Sequence, residues 1–174
     1  MKLKTFSMGG VHPEENKITA EVATVVAPLP QQAIFPLSQH IGAPAKPVVN
    51  RGDKVKVGTL IAEANGFVSA PIYSSVSGTV LKVDTAIDAT GYRKPAIYIN
   101  VEGDEWEESI DRSETLETLD KHPELTPEEI VNRIKVAGVT GMGGAGFPTF
   151  IKLCPPPTAK AECVILNGVE GEPY

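Results

Sequence analysis

The densest group of chemistry-bearing residues lies between positions 141 and 152. Gly141-Met142-Gly143-Gly144-Ala145-Gly146 places four glycines in six residues. A backbone so free of side chains can approach a ligand closely and turn several N–H groups towards one anion. Phe147-Pro148-Thr149-Phe150-Ile151-Lys152 follows and reads as a helix start, whose N-terminal dipole would add to that attraction. Lys152 falls about one turn in, within reach of a bound phosphate. The loop is no Walker A motif, because no Gly-Lys-Ser/Thr follows. It is no Rossmann fingerprint either, because no strand directly precedes it. A second polar string, Asn167-Gly168-Val169-Glu170-Gly171-Glu172-Pro173, lies further on. Taken one at a time, these residues read blandly: Phe147 as core, Lys152 as a solvated helix residue, Glu170 and Glu172 as a polar turn.

The elements that must position the loop are readable on either side. Thr126-Pro127-Glu128-Glu129 carries three helix-start signals. Thr126 can cap, Pro127 suits the first helical position, and Glu129 can close a capping box. Ile130, Val131, Ile134 and Ala137 then share one helical face, and Gly138 is placed to end the helix. Glu162-Cys163-Val164-Ile165-Leu166-Asn167 reads as a strand. Helix, glycine loop, helix, strand is the opening of an α/β domain. It halts at Tyr174, too early to close a sheet, so a piece of a longer protein is expected.

Upstream the pattern is different. Pro28, Pro30, Pro36, Pro44 and Pro47 keep residues 26–48 extended and irregular. From Val48, short apolar runs alternate with turn signals at Arg51-Gly52-Asp53, Val57-Gly58, Asn65-Gly66, Ser77-Gly78 and Thr90-Gly91. That spacing predicts a small barrel or sandwich. The expected organisation is an all-β unit over residues 1–101, an acidic connection over 102–125, and an incomplete α/β domain over 126–174.

Composition excludes several function classes. The chain has 174 residues, 41% hydrophobic and 22% charged, as expected of a globular protein with a core. No apolar run approaches the ~20 residues of a membrane span. The N-terminal Lys2 and Lys4 have no apolar stretch behind them, so no secretory signal is predicted. A net charge of −6 argues against nucleic acid as a partner. Residues 102–129 hold 12 Asp or Glu against Arg112 and Lys121, whereas the rest of the chain holds 10 acidic and 14 basic residues. Such a run reads as a solvated connection. Cys154 and Cys163 match no zinc or disulfide spacing and read as buried free thiols. His12, His40 and His122 are too far apart to suggest metal ligands and read as structural or surface groups.

Longer strings carry resemblances. Gly52-Asp53-Lys54-Val55-Lys56-Val57-Gly58-Thr59-Leu60-Ile61-Ala62-Glu63-Ala64 resembles the first half of a biotinyl or lipoyl carrier domain. Ser75-Val76-Ser77-Gly78-Thr79-Val80 resembles the second half, where a strand enters a tight Ser-Gly turn. Carrier families display one lysine on the hairpin between the halves. Here that hairpin, Asn65 to Tyr73, holds none, so no covalent lipoyl or biotinyl group is expected and a barrel-sandwich scaffold is implied. Phe67 and Tyr73 read as packed hairpin core.

Gly141 to Thr149, with Lys152 three residues on, resembles the flavin loop of the respiratory complex I flavoprotein. Asn167 to Pro173 resembles that family's second flavin and nicotinamide segment. Phe6-Ser7-Met8-Gly9-Gly10-Val11-His12-Pro13 and Pro36-Leu37-Ser38-Gln39-His40-Ile41-Gly42-Ala43-Pro44 look like the opening of the C-subunit family of Rnf electron-transport complexes.

The resemblance implies a lipoyl-like barrel-sandwich hybrid followed by the start of an α/β flavin-binding domain. It implies a peripheral protein on the cytoplasmic face of a bacterial inner membrane. There the parent complex would pass electrons between ferredoxin and NAD(H) through FMN and translocate ions. Gly141, Gly143, Gly144 and Gly146 would meet the flavin with backbone N–H groups, and Lys152 and Asn167 would contact it directly. Phe147 would face the nicotinamide, with Glu170 and Glu172 on the flavin and nicotinamide side. The family's [4Fe–4S] clusters would lie in a cysteine-rich segment that this chain does not contain. Three positions depart from the complex I pattern: Met142 for an arginine, Leu153 for a tryptophan and Val169 for an aspartate. Losing the arginine removes a phosphate or carboxylate fork. A piece this short is expected to be inactive alone. The rival expectation is a scaffold protein without flavin chemistry, similar to the A component of the sodium-translocating quinone reductase.

Overall fold

A computed structural model describes residues 14, 16–88, 90–113, 115, 121–156, 158–159, 162–163 and 165. The chain forms two compact units, residues 1–28 with 161–174, and residues 29–160. In the first, the described residues form a turn at 18–21 and exposed extended chain. Half of the strand expected over 162–167, and Asn167, Glu170 and Glu172 with it, lie outside the described residues, and the described Glu162, Cys163 and Ile165 are not in a strand.

Among the described residues, the second unit contains seven strands: β1 (Gln32–Pro36), β2 (Lys46–Pro47), β3 (Lys54–Val55), β4 (Leu60–Glu63), β5 (Ile72–Tyr73), β6 (Ser77–Ile87) and β7 (Arg93–Gly103). They form two antiparallel sheets, ordered β1-β7-β6-β3 and β2-β4-β5. This is the barrel-sandwich expected from the short, turn-punctuated runs. Phe35, Leu37, Val55, Ile61, Ile72, Val76, Val80, Ile97 and Ile99 fill one shared core. Branched side chains dominate that core because they pack well on a pleated surface.

One turn signal was misleading. Ser77 and Gly78 open β6 rather than forming a turn. A Cβ on Gly78 would stand 2.1 Å from the Asn100 carbonyl oxygen, so the glycine serves close strand approach.

The acidic stretch also starts differently from its expected role as a connection. β7 runs to Gly103, and Trp106 pairs in parallel with Val57. Lys54 holds both Glu102 carboxylate oxygens at 2.9 Å, and Thr59 donates its hydroxyl to Glu107. Residues 102–107 are therefore bound to the barrel, through the Glu102 and Glu107 carboxylates and through backbone hydrogen bonds from Val57 N–H to Glu105 C=O and from Glu107 N–H to Val57 C=O.

The helical part begins as the sequence indicates. In α1 (Pro127–Val136), Thr126 Oγ1 accepts from Glu129 N–H while the Glu129 carboxylate accepts from Thr126 N–H. Ile130, Val131 and Ile134 are half-buried on one side. Gly138 follows with φ +69° and lies against the barrel, where a Cβ would stand 2.6 Å from the Pro71 carbonyl oxygen. The Tyr73 hydroxyl donates to the Val136 carbonyl, pinning the last turn of α1 to β5. Partial burial raises the pKa of this phenol and keeps it protonated as a donor.

Candidate functional site

The glycine loop hangs from a short antiparallel clamp. Thr140 bridges Pro148, Gly141 N–H donates to Phe147 C=O at 2.8 Å, and Thr149 N–H donates to Val139 C=O at 3.0 Å. Residues 142–146 project beyond those bonds, and Met142 is fully exposed. The backbone therefore enters and leaves the loop at fixed points.

The four glycines have four different surroundings. Gly141 has spent its N–H inside the clamp, so it cannot donate to a ligand as the sequence suggested. Its missing Cβ instead makes room for Lys152, whose Nζ lies 2.8 Å from where that atom would be. Gly146, at φ +60°, rests on the barrel: a Cβ there would stand 2.9 Å from Gln39 O and 3.0 Å from His40 Cα. Gly144 has φ +99° and open space around it. Gly143 has no left-handed φ, and a Cβ added there would meet no atom within 4 Å. The fold makes no demand for glycine at 143.

That leaves 143–144 as an open cradle of bare backbone, in which an added Cβ would meet no protein atom. The N–H groups of Gly143 and Gly144 donate to no acceptor among the described residues. Lys152, seated against Gly141, is an exposed cation with its Nζ 5.9 Å from the centre of the half-buried Phe147 ring. Two unused amides, an ammonium group and one aromatic face suit an anionic ligand that also carries a flat ring system.

The expected helix dipole is absent from this arrangement. α2 (Thr149–Lys152) is a single four-residue turn with Pro148 at its N-cap and no side-chain cap. Pro148 and the Phe150 side chain are buried, and Lys135 Nζ lies 5.3 Å from the Phe150 ring centre, tying α2 to α1. A turn that short sums too few peptide dipoles to attract an anion. What the loop offers an anion is its open amides and the Lys152 ammonium.

Other expectations are corrected by their surroundings. Phe67 is 76% exposed at the hairpin tip and contributes nothing to the core, while Tyr73 is half-buried and bonded to α1. Cys154 and Cys163 are exposed rather than buried. His122 is a surface group with Nδ1 3.2 Å from Glu124 Oε1. No group of residues able to hold a metal occurs among the described residues, and no helix among them is long and apolar enough to cross a membrane.

Sequence reasoning missed the part His40 plays. It is buried, with Nε2 accepting from Ala70 N–H at 3.2 Å and Nδ1 3.1 Å from Ile41 C=O. A lone histidine in a loop carries no spacing signal that would have distinguished it.

The family model of the RnfC barrel sandwich hybrid domain matches residues 4–104 of the chain. The chain belongs to the RnfC family. A second match, to the Nuo51 FMN-binding domain, covers residues 134–174 and so contains the whole glycine loop. Among curated relatives, this RnfC chain is 45% identical over 174 residues to the C component of the proton-translocating ferredoxin:NAD(+) oxidoreductase complex of Clostridium ljungdahlii. It is 44% identical to the C component of the Na(+)-translocating ferredoxin:NAD(+) oxidoreductase complex of Acetobacterium woodii. It is 41% identical to the C component of the ion-translocating oxidoreductase complex of Rhodobacter capsulatus. These alignments cover 99%, 100% and 99% of the chain, but only 36%, 38% and 33% of the relatives. The chain thus spans about a third of the length of these curated relatives. The quinone-reductase scaffold is not favoured by these matches.

Proposed function

We propose that the chain contributes the barrel and the first cofactor-binding loop of an FMN-dependent, NAD(H)-linked electron-transfer protein. That protein would serve an ion-translocating ferredoxin:NAD(+) oxidoreductase complex, peripherally, at the cytoplasmic face of the inner membrane. The observation that carries the reading is the cradle at Gly143 and Gly144. It lies inside the segment matched by the FMN-binding domain, and the fold has no use of its own for glycine at 143.

The residues present fit FMN. Gly143 and Gly144 offer two N–H donors, and the Lys152 ammonium supplies a positive charge for a phosphate or a ring carbonyl. Phe147 offers a face against which a nicotinamide ring can stack. Gly141 and Gly146 work indirectly, Gly141 seating Lys152 and Gly146 seating the loop on the barrel. Bound FMN would supply hydride acceptance and single-electron release, and the protein's share is orientation and charge. Asn167 would contact the flavin, and Glu170 and Glu172 would complete its nicotinamide side. The organisation behind this is a barrel unit that extends through residue 107, an acidic connection to residue 125 and the FMN domain from 126. [4Fe–4S] clusters would be held by a cysteine-rich segment outside this chain. The other members of the complex, NADH and, indirectly, ferredoxin are the proposed partners.

The test is NADH-driven reduction of an artificial acceptor such as ferricyanide by the full-length, FMN-loaded protein. Turnover that falls when Phe147 is changed to alanine supports the reading. A folded, FMN-loaded protein without turnover contradicts it.

A further inference from the structure

The barrel hairpin, residues 65–73, holds no lysine and is built into contacts with the rest of the unit. Residues 39–43 lie between that hairpin and the glycine loop. On the hairpin side, Ala43 N–H donates to Val68 C=O at 3.0 Å, and a Cβ on Gly42 would stand 2.1 Å from the same oxygen. On the loop side, Ile41 N–H donates to Gly146 C=O at 3.4 Å, and Gly146 packs directly on the Gln39 and His40 backbone.

His40 connects the two sides. Ala70 N–H can only donate, so Nε2 of His40 must be the unprotonated, accepting nitrogen. The ring proton is therefore on Nδ1, where it points to Ile41 C=O at 3.1 Å. Both ring nitrogens are engaged and the side chain is buried. The route runs from hairpin amide to imidazole, to the C=O of Ile41, and through that residue's own N–H to the Gly146 carbonyl at the end of the loop.

We infer that His40 is a positioning residue for the cofactor loop, and that the barrel hairpin acts as the fixed support against which His40 holds Gly146. This rests on the reading of the loop as a flavin site, but the geometric part does not depend on which ligand binds. His40 itself lies behind the loop and donates nothing to the cradle. Removing the imidazole leaves Ala70 N–H buried without an acceptor and frees the 39–43 segment, on which Gly146 is seated. The loop then samples positions in which Gly143 and Gly144 no longer present their amides together.

The experiment uses the full-length protein with His40→Ala and His40→Gln, the glutamine oxygen being able to replace Nε2 as acceptor. Two readouts are taken: FMN affinity by fluorescence quenching, and amide exchange of peptides covering 141–147 compared with peptides from β6 and β7. His40→Ala is expected to weaken FMN binding by about tenfold, the equivalent of one buried hydrogen bond. It should speed exchange in 141–147 while β6 and β7 remain protected, and His40→Gln should recover most of both effects. Unchanged loop exchange in His40→Ala overturns the inference. So does equal loss of protection in loop and strands, which would make His40 a core residue only. If the unaltered protein binds no FMN, the flavin reading fails, and the exchange comparison still decides whether His40 holds the loop.

Discussion

Gly143→Ala separates a glycine kept for the fold from one kept for a ligand. In the structure this position has no left-handed φ, and a Cβ would meet nothing within 4 Å. Folding should therefore tolerate alanine, with a change of about 1 kcal/mol or less and a sign favouring the folded state. Binding should respond differently. A ligand phosphate or ring in contact with the Gly143 backbone must retreat from the added methyl and lengthen its hydrogen bonds to the 143 and 144 amides. Losing one hydrogen bond to a charged group costs roughly 1.5–3 kcal/mol, or about tenfold to a hundredfold in dissociation constant. The assay pairs a urea denaturation curve with an FMN titration on the full-length protein. Wild-type affinity in a folded Gly143→Ala variant would refute the reasoning. So would destabilisation beyond about 2 kcal/mol, because the glycine would then be structural.

Three further outcomes follow from the same geometry. Gly138→Ala should destabilise the protein by about 2–4 kcal/mol in urea denaturation, since alanine meets both a left-handed backbone and the Pro71 carbonyl 2.6 Å away. Lys152→Gln should weaken FMN binding by about tenfold and flatten its salt dependence, while thermal stability stays unchanged because the side chain is exposed. The Glu129 carboxyl is held below its ordinary range, first by the Thr126 N–H it accepts from and next by the Thr126 side chain. Its folded pKa lies below the unfolded one, so its stabilisation of α1 is present above the unfolded value and lost as pH falls through the folded one. Protection of the α1 amides, taken relative to their intrinsic exchange rates at each pH, should fall on the acid side of pH 4.5, and in Glu129→Gln that fall should disappear.

Much of this was legible wherever the signal is local. Thr126, Pro127 and Glu129 state a helix start within four residues, and the structure contains the capping box they spell. The glycines at 52, 58, 66 and 91 mark chain reversals because each takes a positive φ. Ser77-Gly78 looked the same in sequence but serves a contact with Asn100, twenty-two residues further along the chain from Gly78, which no local pattern can show. The glycine loop was legible as a string, but the division of labour within it was not. Gly141 answers to Lys152, Gly146 to the Gln39 and His40 backbone, and only Gly143 and Gly144 are left open. Those distinctions depend on what tertiary packing brings alongside each residue. The helix dipole expected at Pro148 failed for a related reason: the buried Phe150 ends up anchoring a single turn rather than opening a longer helix.

The most direct test of the central claim is a titration of FMN into the full-length protein, followed by quenching of flavin fluorescence. The open cradle at Gly143 and Gly144, with Lys152 seated at Gly141, predicts saturable binding at one site per chain. A folded protein that leaves FMN fluorescence unchanged at every concentration would contradict it and reduce the glycine loop to a turn.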